Sequence, residues 1–214
     1  SLGQTSAGGI TLALTGMLPE ADNAVQCLNT ATMSSSCNMS FADAGYLVSI
    51  PDFVARSKAH AQTNGGIAAT VQAVQTDNSQ NCAPAYTGNQ SVDVALTYVD
   101  PNSGSQAVAF SADDSTYVDL TTTINTTLNF SAGSSTANFY LAYPDAGQLR
   151  LTFTDPNNVL INGGVATGSD DFVARPDKLE AKLTDLSDVN LAGGTYMAGR
   201  PFKLTINALN LDGR

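Results

Sequence analysis

Tryptophan is absent from the 214 residues, histidine occurs once, and lysine plus arginine number nine. Each scarcity closes off a class of function. A hydrolytic triad needs an imidazole beside its nucleophile. His60, in Lys58-Ala-His-Ala-Gln62, is the sole candidate and reads as a loop residue, and no Gly-x-Ser-x-Gly elbow occurs. Phosphate-binding glycine loops, dinucleotide fingerprints and His-Glu-x-x-His runs are missing too. Glycosidases set two carboxylates about a bound sugar. The pairs Asp113-Asp114 and Asp170-Asp171 are adjacent, so on a strand their side chains would point to opposite faces. The chain is therefore expected not to be an enzyme. Its formal charge of −10, with no basic patch to offset it, repels phosphate backbones and excludes nucleic acid as a partner. No apolar run approaches the roughly 18 residues of a membrane span, so no membrane insertion of this segment is expected.

Glutamate is nearly missing as well: Glu20 and Glu180 are the only two, which leaves 17 of the 19 acids as Asp. Asp favours turns, because its short carboxylate bonds nearby backbone N–H groups, whereas Glu favours helices. With abundant Thr, Ser, Asn, Gly and Val, the chain should form short strands joined by polar turns. A hydrophobic content of 43% suffices for a packed core. Cys27, Cys37 and Cys82 make an odd count with no Cys-x-x-Cys, so neither a zinc ribbon nor a thioredoxin-like site has support. Cys27 and Cys37 flank a Ser/Thr-rich loop and are the expected disulfide. Spacing alone leaves open the other pairings of three thiols, and reduced, buried cysteines. The N-terminus has neither the basic start nor the apolar run of a signal peptide. The chain reads as a mature or excised segment of a longer exported protein.

What is present is an internal echo. Phe41-Ala-Asp-Ala-Gly45 precedes Asp52-Phe-Val-Ala-Arg56, and Tyr143-Pro-Asp-Ala-Gly147 precedes Asp171-Phe-Val-Ala-Arg175. Asp-Ala-Gly suits a tight turn, and the paired copies suggest duplicated modules. Alternating runs lie between them at 66–74, 92–99, 106–110 and 137–143. Thr123 to Phe130 puts Ile124, Thr126, Leu128 and Phe130 on one face. A period of two at this density predicts an all-β fold of antiparallel, immunoglobulin-like β-sandwich modules in tandem. The expected division is a β module over 1–56, a sandwich over 57–175, and the first strands of a further, truncated module over 176–214. Pro201-Phe-Lys-Leu-Thr-Ile-Asn-Ala-Leu-Asn210 in that tail alternates again.

Asp171-Phe-Val-Ala-Arg-Pro176, followed by Ala198-Gly-Arg-Pro-Phe-Lys-Leu-Thr-Ile-Asn-Ala-Leu-Asn-Leu-Asp-Gly213, resembles the MshQ family. Its pattern is a Phe-Val-x-Arg-Pro junction, a Gly-x-Pro-Phe strand and an Ala-x-Asn-x-x-Gly turn. These are large exported proteins encoded with the mannose-sensitive haemagglutinin type IV pilus. The resemblance implies an extracellular protein of repeated Ig-like domains on the bacterial cell surface, with a role in pilus assembly or attachment. It carries over no catalytic residues. The first copy departs from the pattern, since Ser57 follows Arg56 where proline is expected.

Calcium is the one cofactor the composition suggests, because hard cations take Asp and Asn oxygens gathered in loops. The candidate ligands are Asp100, Asn102, Asp113, Asp114, Asp155, Asp170 and Asp171. Solvated turns that bind nothing are the plain alternative. Arg56, Arg175 and Pro176 are the expected module junction, where each arginine either pairs with Asp52 or Asp171 at the surface or forms a bidentate clamp between modules. The expected function is a structural or adhesive module, with other domains of the same protein, pilus components or a host-surface ligand as partners. The alternatives are a glycan- or small-ligand-binding module, and a self-assembling subunit that uses strand complementation.

Overall fold

The structure is a computed structural model, and it describes residues 8–11, 27–29, 32–34, 38–41, 44–76, 82–157 and 165–214. Four short strands come first: β1 (Gly8–Thr11), β2 (Cys27–Asn29), β3 (Thr32–Ser34) and β4 (Asn38–Phe41), with β1 antiparallel to β4 and β2 to β3. The next elements are β5 (Ala44–Ser49), β6 (Phe53–Val54), helix α1 (Lys58–Asn64), β7 (Ile67–Thr76), β8 (Cys82–Pro84) and β9 (Gly88–Asp100). Then come β10 (Val108–Ser111), β11 (Val118–Leu120), β12 (Thr123–Phe130), β13 (Thr136–Ala142), β14 (Gly147–Thr154) and β15 (Thr167–Arg175). A hairpin of β16 (Lys178–Thr184) and β17 (Lys203–Leu209) ends the chain. Among the described residues, no helix is long and apolar enough to cross a membrane.

Elements β5 to β15 build two sheets face to face. One runs β11-β10-β13-β7-β5, with β8 beside β7, and the other β12-β9-β14-β15-β6. The alternation read from sequence sets their inner faces. Val94 and Leu96 of β9 lie opposite Phe153 and Leu151 of β14 across the ladder, and all four are buried together with Val92 and Leu149 of the same two strands. Opposite them lie Ala69, Val71 and Ala73 of β7 and Ala137, Phe139 and Leu141 of β13. Without tryptophan, phenylalanine fills the core: Phe110, Phe130, Phe139, Phe153 and Phe172 are each at most 1% exposed. Each such burial stabilises the fold by roughly 1.5–3 kcal/mol. Phe139 links the layers, with its ring centroid 5.4 Å from Phe110 and 5.1 Å from Phe153.

The expected boundary after residue 56 does not divide this sandwich. Strand β5 belongs to the first sheet through β7, and β6 to the second through β15, so the chain crosses between sheets at Ile50-Pro51. The Ile50 N–H donates to Asp170 Oδ2 at 2.8 Å and the Val173 N–H to Asp52 Oδ1 at 2.7 Å, fixing the crossing. The internal echo has the same explanation. Its two Phe-Val-Ala-Arg runs are not equivalent strands of duplicated modules but parallel neighbours in one sheet, with Phe53 opposite Ala174 and Val54 opposite Arg175. Phe53 and Phe172 stack with centroids 5.5 Å apart. The sheets also close against each other where β15 meets β5, and a Cβ on Gly168 would lie 1.9 Å from the Tyr46 carbonyl oxygen.

The terminal hairpin has two unlike faces. Residues directly opposite in an antiparallel pair share a face, so Leu179–Ala208, Ala181–Ile206 and Leu183–Leu204 form one continuous apolar surface. Lys178, Glu180, Lys182, Lys203 and Thr205 lie on the other. Nothing described covers the apolar side: Leu179 is 71%, Ile206 61% and Leu204 54% exposed.

Candidate functional site: the junction between sandwich and hairpin

Sequence and backbone chemistry explain how the hairpin is held. Beyond β17, Asn210 begins a tight turn in which the Asn210 N–H donates to the Arg214 carbonyl and the Gly213 N–H to the Asn210 carbonyl, both at 2.9 Å. Gly213 has φ of +74°, a conformation that favours glycine. Asn210 is 7% exposed, and its side-chain oxygen accepts the N–H groups of Asp212 and Arg214. Its amide donates to the Pro144 carbonyl at 2.8 Å, reaching the β13–β14 turn of the sandwich. The Ala-x-Asn-x-x-Gly run is thus a turn with one arm extended to a neighbour.

The sandwich supplies the matching surface just after β6. Leu211 N–H donates to Ala55 carbonyl at 2.9 Å, and Asp212 Oδ2 accepts the Ser57 N–H at 2.7 Å. Ser57 caps α1, its hydroxyl accepting the His60 N–H at 3.1 Å. His60 is therefore helical instead of a loop residue, and its Nδ1 lies 3.2 Å from Asp212 Oδ1. The Ser57 N–H and the His60 ring hold the Asp212 carboxyl below the usual carboxylate range, overcoming desolvation, the largest single influence on it. Serine, histidine and aspartate meet here, but Ser57 is spent as a helix cap, and the geometry is that of a joint. Pro176 lines a small cavity of about 50 Å³ with Ala55, Pro144 and Asn210.

Arg56 and Arg175 stand on either side of this joint and contribute backbone. The Arg56 N–H donates to the Tyr143 carbonyl at 2.7 Å, and the Arg175 carbonyl accepts the Ala55 N–H at 2.8 Å. Arg56 Nε turns back to the Val54 carbonyl at 3.3 Å. The bidentate clamp on Asp171 comes from Arg150, which sequence reasoning passed over, with Nε and Nη2 at 2.5 and 3.0 Å from the carboxylate. That guanidinium holds Asp171 below its ordinary range. Arg150 and Asp171 are register partners on β14 and β15, so the clamp lies within one sheet.

The candidate calcium ligands are dispersed. Asp113 Oδ1 accepts the N–H groups of Thr116 and Ser115 at 3.0 and 2.9 Å and the Ser111 hydroxyl at 2.9 Å. Those bonds hold its carboxyl far below the usual range. Asp114, at φ of +61°, accepts the Gly66 N–H at 2.8 Å and the Tyr117 hydroxyl. Asp155 accepts the Asn157 N–H at 3.1 Å, and Asp170 accepts Ile50 and Asp171 N–H groups. Asp100 ends β9 beside the exposed Asn102. Among the described residues, no three such acidic, histidine or cysteine side chains gather. Cys27 lies on β2 and Cys82 on β8, whereas Cys37 and any Cys27–Cys37 bond lie outside the described residues.

The sequence profile of a family described as "Domain of unknown function (DUF6701), first Ig-like domain" matches residues 24–169. A search of curated proteins found no match.

Proposed function

We propose a structural role from one premise: the chain belongs to the DUF6701 family, matched through its first Ig-like domain. The chain joins one Ig-like sandwich to the opening strand pair of a second and fixes the angle between them. The observation that carries this reading is the docking of Asn210, Leu211 and Asp212 onto Pro144, Ala55 and Ser57. A polymer of sandwiches transmits force or holds a tip away from a surface only if its joints resist bending, and hydrogen bonds spread over three separate backbone sites oppose hinge motion.

The hairpin supports the second half of the reading. In the first sandwich β5 opens the fold by pairing antiparallel with β7, Ser49 opposite Thr70. In the hairpin β16 pairs antiparallel with β17, Thr184 opposite Lys203, across a connection of similar reach. Tyr46 opposite Ala73 and Val48 opposite Val71 turn inward in the first case. Leu179, Ile206 and Leu204 would do so in the second once a facing sheet is supplied. An apolar cleft of about 390 Å³ lined by Leu183, Tyr196, Met197 and Phe202 belongs to this same surface and is read as unfinished core.

The resemblance to the MshQ family extends the proposal to an exported, pilus-associated surface protein, either as stalk or as adhesin. Immunogold labelling of intact cells, with sheared pili blotted alongside, tests it. Label on pili and in the sheared fraction is expected. Label confined to the envelope would overturn the pilus reading and leave an assembly factor in its place.

A further inference from the structure

The two sheets have edges that are unequally guarded. Native sheets blunt their edges with short strands, charge, proline, bulges or a covering segment. Strand β11 has three residues, and its Asp119 pairs with Lys58 at 3.0 Å. Strand β5 is covered by β15, to the point that Gly45 and Gly168 both face backbone oxygens. Strand β6 has two residues, and the next residue, Ala55, is bonded by Leu211. Among the described residues, strand β12 has none of these devices. It is eight residues long, ends the second sheet, and among the described residues pairs only with β9. From Leu120 to Pro144 the chain has no Asp, Glu, Lys or Arg, and β12 has no proline.

We infer that the outer edge of β12 is a self-association surface, and that it pairs antiparallel with β12 of a second copy about a twofold axis through Thr127. The pleat requires the axis to pass through a residue, since directly opposed residues share a face and a one-residue slip would set apolar against polar sides. Thr127 is the residue midway between Ile124 and Phe130, the outermost apolar residues of the strand. An axis at Thr127 places Ile124 opposite Phe130 and Thr126 opposite Leu128 on the core side. On the outer side it places Asn125 opposite Asn129, Thr123 opposite Ser131, and Thr127 opposite its own copy. Asparagine pairing of this kind already exists within the sheet, where Asn129 Nδ2 donates to Asn89 Oδ1 at 2.6 Å between register partners. Although the chain carries a charge of −10, this axis opposes no two charges on the paired strands. One joined edge is small beside a standard interface, so the contact is weak in dilute solution. It becomes effective where copies are held side by side and their local concentration reaches the millimolar range.

Sedimentation equilibrium of the 214-residue chain, carried to roughly millimolar concentration, tests this directly. The parent is expected to dimerise, and Thr127→Lys, which faces two lysines across the axis, to remain monomeric with unchanged thermal unfolding. Ile206→Lys, on the exposed hairpin, is the control and should dimerise like the parent. A parent that stays monomeric, a dimer that survives Thr127→Lys, or one lost only in Ile206→Lys would each overturn the inference. Should Thr127→Lys disturb folding, amide exchange of the parent decides: β12 amides gain protection with concentration if the edge pairs, and do not otherwise. None of these outcomes bears on the joint between sandwich and hairpin.

Discussion

Two phenols share a hydrogen bond where β5 passes the loop after β8, Tyr46 hydroxyl to Tyr86 hydroxyl, with the Tyr86 ring edge-on to Phe130 at 4.9 Å. Burial pushes Tyr46 up to about 12 and Tyr86 higher still, and the nearby Asp155 charge acts in the same direction on both. A folded-state value above that of the unfolded chain means that the neutral phenol is favoured by folding. This stability is complete below the ordinary tyrosine value near 10 and is lost as pH rises through the folded value. The urea midpoint should therefore hold steady to about pH 9.5 and fall above pH 10. Tyr46→Phe should fall less steeply there, and equal slopes for the two proteins would refute the assignment. Gly168 is a sharper test. Alanine would set its Cβ 1.9 Å from the Tyr46 carbonyl oxygen, and no side-chain rotation relieves a backbone clash. Gly168→Ala should cost about 3 kcal/mol or more, measured by urea unfolding, whereas the same change at Gly133 meets no neighbour and costs only its φ of +89°. Neither role was visible in the sequence. One glycine among 18 looks like the others until the strand that crosses it is known.

At the scale of elements, the joint divides into parts that can be broken separately. Ser57→Ala removes the hydroxyl that caps α1 but keeps the backbone N–H bound by Asp212, so it should cost about 1 kcal/mol and speed exchange of the His60 amide. Asn210→Ala leaves α1 capped and strips the Pro144 carbonyl of its donor, at about 1–3 kcal/mol. Its expected signature is faster exchange of the Leu211 amide, and an unchanged Leu211 amide would show that the turn docks without this side chain. Which elements could be read in advance follows from the same physics. Strand β12 matches its predicted range and face, Leu128 and Phe130 inward and Asn125 and Asn129 outward, because a half-buried strand must alternate. Helix α1 was missed, for seven residues give too few turns to show a period, and only Ser57 ahead of Lys58-Ala-His hinted at a cap. The pairing of β6 with β15 was missed for another reason. Repeated words in a sequence suggest duplication, and nothing local says that the two copies lie side by side. The joint itself was half visible: the glycine turn at 210–213 is written in the sequence, but its receptor at Ala55, Ser57 and Pro144 is assembled by the fold.

Charge is partitioned across the whole molecule as the proposed array requires. Residues 1–175 hold 14 acids and four bases, hence the entire charge of −10, whereas residues 176–214 hold five of each. An acidic sandwich keeps neighbouring modules from sticking at random. A neutral hairpin can pack without opposing like charges. The 214-residue chain, with Leu179, Phe202, Leu204 and Ile206 exposed, should bind a hydrophobic dye such as anilinonaphthalene sulfonate at neutral pH while its sandwich remains fully folded. Ile206→Lys should reduce that fluorescence and leave the main melting transition where it was, because the side chain touches no part of the sandwich core. In a longer chain that supplies the facing sheet, the parent should lose dye binding. There the same substitution should destabilise the second module by several kcal/mol, as a buried unpaired charge does. Dye binding that persists in the longer chain, or an Ile206→Lys change that the longer chain tolerates, would mean that the hairpin is not the opening of a second sandwich and that its apolar face meets something else.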